Sequence, residues 1–117
     1  MSKSIATGLA LAILLSVSSC GVSNKLYNWQ NYEHTSYAYS KKHSPEAEAK
    51  LMETYKKLME TQNVGRKVVP PGMCAEYGYM LIKQGKNAEG IALLEKEISL
   101  YPESEKFIGR IIKQFKK

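Results

Sequence analysis

An all-α domain is what this chain predicts, and three observations carry that expectation. Leu51, Met52, Tyr55, Leu58 and Met59 recur at helical spacing. Helix punctuation recurs too: Ser44-Pro45 reads as a start, Gly85 as a turn and Tyr101-Pro102 as a stop. Third, the aromatics at 29, 32, 37 and 39 do not alternate strictly, which argues against a strand.

The elements follow in order. A first block runs from about Trp29 to Gln62 and breaks near His43. Trp29, Tyr32 and Ser36 share one stripe of its opening helix, with Tyr39 near it. Ser44 is the expected N-cap of the next helix, because its hydroxyl accepts an orphan amide. Pro45 suits the first helical position, since it lacks the amide that would go unpaired. Glu46 with Lys50, and Glu53 with Lys57, are pairs four apart in the favourable order. Residues 62–69 form a connection, closed by Pro70-Pro71-Gly72. A third helix is expected from Met73 to Gln84, with Cys74, Tyr77, Gly78, Leu81 and Ile82 in its pattern. Gly85 then ends it, and Asn87 is the expected N-cap of a return helix from Ala88 to Leu100. The last helix, from Glu103 to about Phe115, offers Phe107, Ile108, Ile111, Ile112 and Phe115 as its apolar side. Lysines at 113, 116 and 117 suit the negative end of its dipole.

The opening residues read as an address. Lys3 precedes an uncharged, mostly apolar run of 13 residues, Ile5 to Val17. A membrane span needs ~20 such residues, so the run fits the h-region of a secretory signal peptide over 1–19. Val17-Ser18-Ser19-Cys20 resembles the bacterial lipobox. That resemblance implies cleavage between Ser19 and Cys20, diacylglycerol on the Cys20 sulfur and acylation of the new amino group. Several acyl chains together hold a protein on a bilayer. Gly21, rather than aspartate, follows the cysteine, and the same resemblance then implies the periplasmic face of an outer membrane. Residues 20–28 are the lipidated N-terminus and tether, and 29–117 the helical domain.

Composition limits the chemistry. With 117 residues there is room for one small domain. The chain holds no aspartate, so a catalytic dyad or triad built on Asp is excluded. Two cysteines, not in a C-x-x-C pair, exclude a zinc ribbon. From Cys20 onward the 98 residues carry 16 basic and 11 acidic side chains, a net charge of +5. Export makes nucleic acid an unsuitable counter-charge, leaving anionic headgroups, acidic glycans or an acidic protein face.

Tyr77-Gly78, Gly85-Lys86, Ile91-Ala92 and Tyr101-Pro102 match the spacing of a tetratricopeptide repeat. The resemblance implies helical hairpins, with the last helix as a cap. Gly78 would be the small residue at the helix crossing. Gly90 departs from the usual alanine at a helix-propensity cost of about 1 kcal/mol. Glu97 departs from a small residue and implies looser packing of the next helix. Tyr37-Ala38-Tyr39 repeats Tyr77-Gly78-Tyr79 at a distance of 40 residues, suggesting a degenerate earlier copy.

The lipobox, Leu26-Tyr27-Asn28-Trp29, Pro70-Pro71-Gly72, Ala75-Glu76-Tyr77-Gly78-Tyr79 and Leu100-Tyr101-Pro102-Glu103-Ser104 together resemble a family of small bacterial lipoproteins of unknown function. Members tend to be encoded beside a lipoprotein like the curli-secretion channel. The resemblance thus implies an envelope assembly, with such a channel-like lipoprotein as a partner.

Individual residues narrow the site. Cys74 reads as a buried structural thiol, with an intermolecular disulfide as the alternative. His34 and His43 lack ligands at metal spacing, and no cofactor motif occurs. Glu95 and Glu97 lie two apart on a helix and point in different directions. Tyr37 and Tyr77 suit a small core, which leaves Tyr39 and Tyr79 as the candidate partner contacts. The expected function is a lipid-anchored, non-enzymatic adaptor in an envelope assembly. The alternative is a lysine-driven binder of peptidoglycan or of an anionic membrane surface.

Overall fold

The computed structural model of the protein describes residues 25–116. The expected signal peptide, the expected Ser19–Cys20 cleavage site and the expected lipid attachment at Cys20 lie outside the described residues. Five α-helices make up the described fold: α1 (Tyr32–Lys42), α2 (Pro45–Glu60), α3 (Met73–Lys83), α4 (Asn87–Leu100) and α5 (Glu105–Phe115). A single 3-10 turn, Pro102–Ser104, leads into α5. The described residues contain no strand and no helix long and apolar enough to cross a membrane.

Local chemistry sets most of the ends. His43 ends α1 in the left-handed region (φ 47°) and donates its amide to the Tyr39 carbonyl. The Ser44 hydroxyl then accepts the Ala47 amide at 3.1 Å, with Pro45 in the first turn of α2. Helix α3 ends in a complete Schellman motif. The Gly85 amide donates to Ile82 and the Lys86 amide to Leu81, both at 2.9 Å, while Gly85 takes φ +84°. Asn87 does not serve as the N-cap: it is the first residue of α4, and Lys86 before it makes no side-chain cap. Pro102 stops α4 as expected but opens the 3-10 turn, so α5 starts at Glu105 rather than Glu103. Of the two expected ion pairs on α2, Glu53 with Lys57 forms at 2.9 Å, on the exposed side.

Two apolar clusters hold the helices together. Leu51, Tyr55, Leu58, Val69, Met73, Cys74 and Met80 join α2 to α3 and the connection before it. Ile82, Leu94, Ile108 and Ile112 join α3 and α4 to α5. Among the described residues the buried ones run from Thr35 to Ile112.

The α3–α4 hairpin is the closest pairing. A Cβ added at Gly78 would lie 2.6 Å from the Gly90 carbonyl oxygen, and one at Gly90 would collide with the Gly78 carbonyl and the Ile82 side chain. The two backbones therefore touch at this crossing. Gly90 is a packing requirement, and its weak helix propensity is outweighed by that contact.

Glu97 has a second role, toward α3 and not toward the next helix. What the sequence did not disclose is where its side chain goes: it is 3% exposed and reaches back to the start of α3. Its carboxylate accepts the Gly72 amide at 2.7 Å and the Ala75 amide at 3.3 Å. Gly72 has no side chain to cap α3, so a carboxylate from 25 residues downstream caps it instead. The negative charge also faces the positive end of the α3 dipole.

Candidate functional site

The site is an aromatic row shared by α1, α3 and α5. Tyr79 and Lys83 stand one turn apart on α3, a spacing that puts them side by side. The Lys83 ammonium lies 5.4 Å from the centroid of the Tyr79 ring and 5.9 Å from that of Tyr39 on α1. Both distances are within the range at which ring quadrupoles attract a cation. Phe115 of α5 meets Tyr79 edge-on at 6.5 Å, and His43 closes the other end against Tyr39 at 4.8 Å. Tyr79 is 45% exposed, while Tyr39 and Phe115 are half-buried. No carboxylate of the described residues forms an ion pair with Lys83.

This arrangement has a clear chemical capacity. The rings hold the ammonium at the surface without neutralising it, so its outer side can take a carboxylate or a carbonyl oxygen. The aromatic edges beside it can take apolar side chains of the same partner, at low conformational cost because the rings are already packed.

A second aromatic series ties α1, α2 and α3 together behind the row. Ring centroids step from Tyr27 to Trp29 (6.2 Å), Tyr32 (5.9 Å), Tyr55 (6.0 Å) and Tyr77 (5.5 Å). One oxygen of Glu76 accepts both the Tyr32 hydroxyl at 2.7 Å and the Tyr55 hydroxyl at 2.8 Å. Burial, reinforced by this carboxylate, pushes the Tyr32 phenol up to about 12 and raises that of Tyr55 further. The role of these groups is to fix helix positions, since each phenol is committed as a donor.

The structure sorts the sequence-derived candidates. Tyr39 and Tyr79, from helices 40 residues apart, converge on Lys83. Tyr77 belongs to the core, stacked on Tyr55. Tyr37 does not: it is 65% exposed. Cys74 is fully buried, with its sulfur 3.7 Å from that of Met59, and burial pushes its thiol up to about 11. That combination makes an inert thiol at neutral pH. His34 and His43 are both exposed. Glu95 pairs with Lys116 at 2.8 Å.

Lys83 and Glu76 were missed by sequence reasoning. Lys83 had a usable signal, its position four residues after Tyr79. Glu76 had none, because its partners come from 21 and 44 residues away. The segment Leu26–Asn28, which the sequence puts in the tether, is docked on the α2–α3 connection. The Arg66 amide donates to Leu26, and Gln62 exchanges bonds with the Asn28 backbone at 3.1 and 2.7 Å.

The described residues therefore define a small all-α domain with an aromatic, cation-bearing face. Residues 26–111 match the family described as a domain of unknown function (DUF4810), and the chain belongs to that family. The match begins at Leu26, the residue at which the docked segment starts. No curated protein and no solved structure matches the chain.

Proposed function

We propose that the chain is a lipid-anchored, non-enzymatic adaptor of a bacterial envelope assembly, and that it grips a protein partner through Tyr39, Lys83, Tyr79 and Phe115. The convergence of Tyr39 and Tyr79 on Lys83 carries this reading. Exposed tyrosine held by neighbouring rings is typical of interface hot spots. The Lys83 ammonium beside it, paired with no carboxylate of the described residues, adds a charge for an acidic partner group. Location follows from the lipobox at Val17-Ser18-Ser19-Cys20, with acyl chains on Cys20. The architecture is read as tetratricopeptide-like: two helical hairpins, a glycine crossing at Gly78 and Gly90, and α5 as the cap support it. In that architecture α1, α3 and α5 are the first helices of successive units, and such helices line the concave binding face.

Two experiments test the reading. Radiolabelled palmitate should enter the wild-type chain and not the Cys20→Ser variant; equal labelling of both removes the anchor. Crosslinking in native membranes should recover an envelope partner, and Tyr39→Ala with Tyr79→Ala should weaken that recovery at least tenfold, as expected for losing two anchors worth ~1–2 kcal/mol. Undiminished recovery would sink the proposed face.

A further inference from the structure

We infer that the end of the domain formed by Leu26, Trp29 and the loop carrying Arg66 and Lys67 is a second membrane contact, seated on an anionic phospholipid surface beside the acyl anchor. The inference rests on the anchored reading of Cys20 given above, and adds to it which residues of the fold meet the lipid.

Leu26 is 61% exposed and Trp29 43% exposed. Single exposed apolar side chains are ordinary, but these two are held in place. The Leu26 carbonyl accepts the Arg66 amide at 3.0 Å. Asn28 is bound on both sides, its amide to Gln62 and its side-chain amide to the Thr61 carbonyl. Trp29 is flanked by the rings of Tyr27 and Tyr32. With its backbone pinned, this segment cannot fold its apolar side chains away from water. A bilayer surface would cover them.

Charge agrees with that occupant. Arg66 and Lys67 are exposed in the same loop, and neither pairs with a carboxylate of the described residues. Lys25 precedes Leu26 directly. Tyrosine and tryptophan rings settle at the headgroup level, and basic side chains are drawn to anionic lipids. Reach agrees as well. From Cys20 to Lys25 is a span of five residues, at most about 18 Å when fully extended, so an anchor at residue 20 keeps this end at the headgroups. Helix α1 starts at Tyr32, three residues after Trp29, and carries Tyr39 about 10 Å further along its axis, which sets the aromatic row back from this end.

Trp29 is the single tryptophan of the chain and therefore reports on its own surroundings. The test uses the chain from residue 20 with Cys20→Ser, which retains the whole described core. A hexahistidine tag at its N-terminus holds it on vesicles of phosphatidylglycerol and phosphatidylethanolamine doped with a nickel-chelating lipid, so that no acylation is needed. Emission from Trp29 should move to shorter wavelength and be quenched by phospholipids brominated near the headgroup. Leu26→Ser combined with Arg66→Glu and Lys67→Glu should lose most of that quenching while keeping the helical circular dichroism. In the unmutated tethered chain, an unshifted and unquenched Trp29 overturns the inference. So does equal quenching of a variant that still folds. If palmitate labelling fails while the tethered chain is quenched, the anchor falls and the lipid seat stands; the reverse result separates them the other way.

Discussion

The two hairpins of this small domain are built on different principles. In α3–α4 the helices meet through glycine, backbone against backbone at Gly78 and Gly90, and a buried carboxylate from α4 caps α3. In α1–α2 the buried side chains include Thr35 and Thr54, whose hydroxyls bond back to the carbonyls of Asn31, the N-cap of α1, and of Lys50 in α2. What fixes α1 there is the aromatic series and the hydroxyl bonds to Glu76 on α3. One hairpin is held by close approach and the other by phenols meeting a charge. The first should fail on added volume, the second on a change of protonation.

The largest effect is expected at the glycine crossing. Gly90→Ala favours the helix by about 1 kcal/mol, but its Cβ runs into the Gly78 carbonyl and Ile82. Overpacking of this kind costs typically 1–3 kcal/mol, so a net loss and a fall in Tm of roughly 5–10 °C are expected. Thermal unfolding followed by circular dichroism decides it, and a rise in Tm would show that the crossing is not tight. Next comes Glu97→Ala, which strands two amides at the start of α3 and should cost about 1 kcal/mol, the low end for lost bonds because Gly72 and Ala75 are only partly buried. Glu97→Gln keeps an acceptor and should recover more than half of that. If both variants unfold at the same denaturant concentration, the cap is not what Glu97 supplies.

Protonation probes the other hairpin. The Tyr32 and Tyr55 phenols are raised above their ordinary value of 10. Their contribution is therefore complete below pH 10 and fades as pH climbs toward about 12 for Tyr32, with Tyr55 following at higher pH. Urea unfolding should be easier at pH 12 than at pH 10. Glu76→Gln, which removes the charge but keeps an acceptor, should bring the late part of the tyrosinate absorbance rise, which belongs to these two phenols, to lower pH. The smallest effect is at the exposed pair of Glu53 and Lys57, where Glu53→Ala should leave Tm unchanged within error because water screens both groups.

Legibility from sequence differed between these regions for a physical reason. The ends of α1, α2 and α3 were readable because the groups that make them lie within a few residues: His43 on Tyr39, Ser44 on Ala47, Gly85 on Ile82. The start of α4 was displaced by one residue because its expected Asn87 cap makes no such bond. The counting argument, that residues two apart on a helix face different ways, put Tyr79 outward, and it is exposed, but it also put Tyr39 outward, and that ring packs against the first core cluster. Tyr37 was misjudged by the same argument, because nothing local says which helix faces will meet a neighbour. Lys83 joins the two tyrosines only after α1 and α3 pack.

By itself, then, the amino-acid order determined the all-α class and the helix ends to within about three residues, the start of α1 being the widest miss, at Tyr32 instead of Trp29. Each depends on hydrogen bonds and side-chain spacing inside one helical turn. Tertiary packing alone decided that Gly90 is needed, that Glu97 caps a helix from 25 residues away, and that the Leu26–Asn28 segment is pinned to a distant loop. Those contacts join groups far apart along the chain, and their energy exists only once the helices that carry them have met.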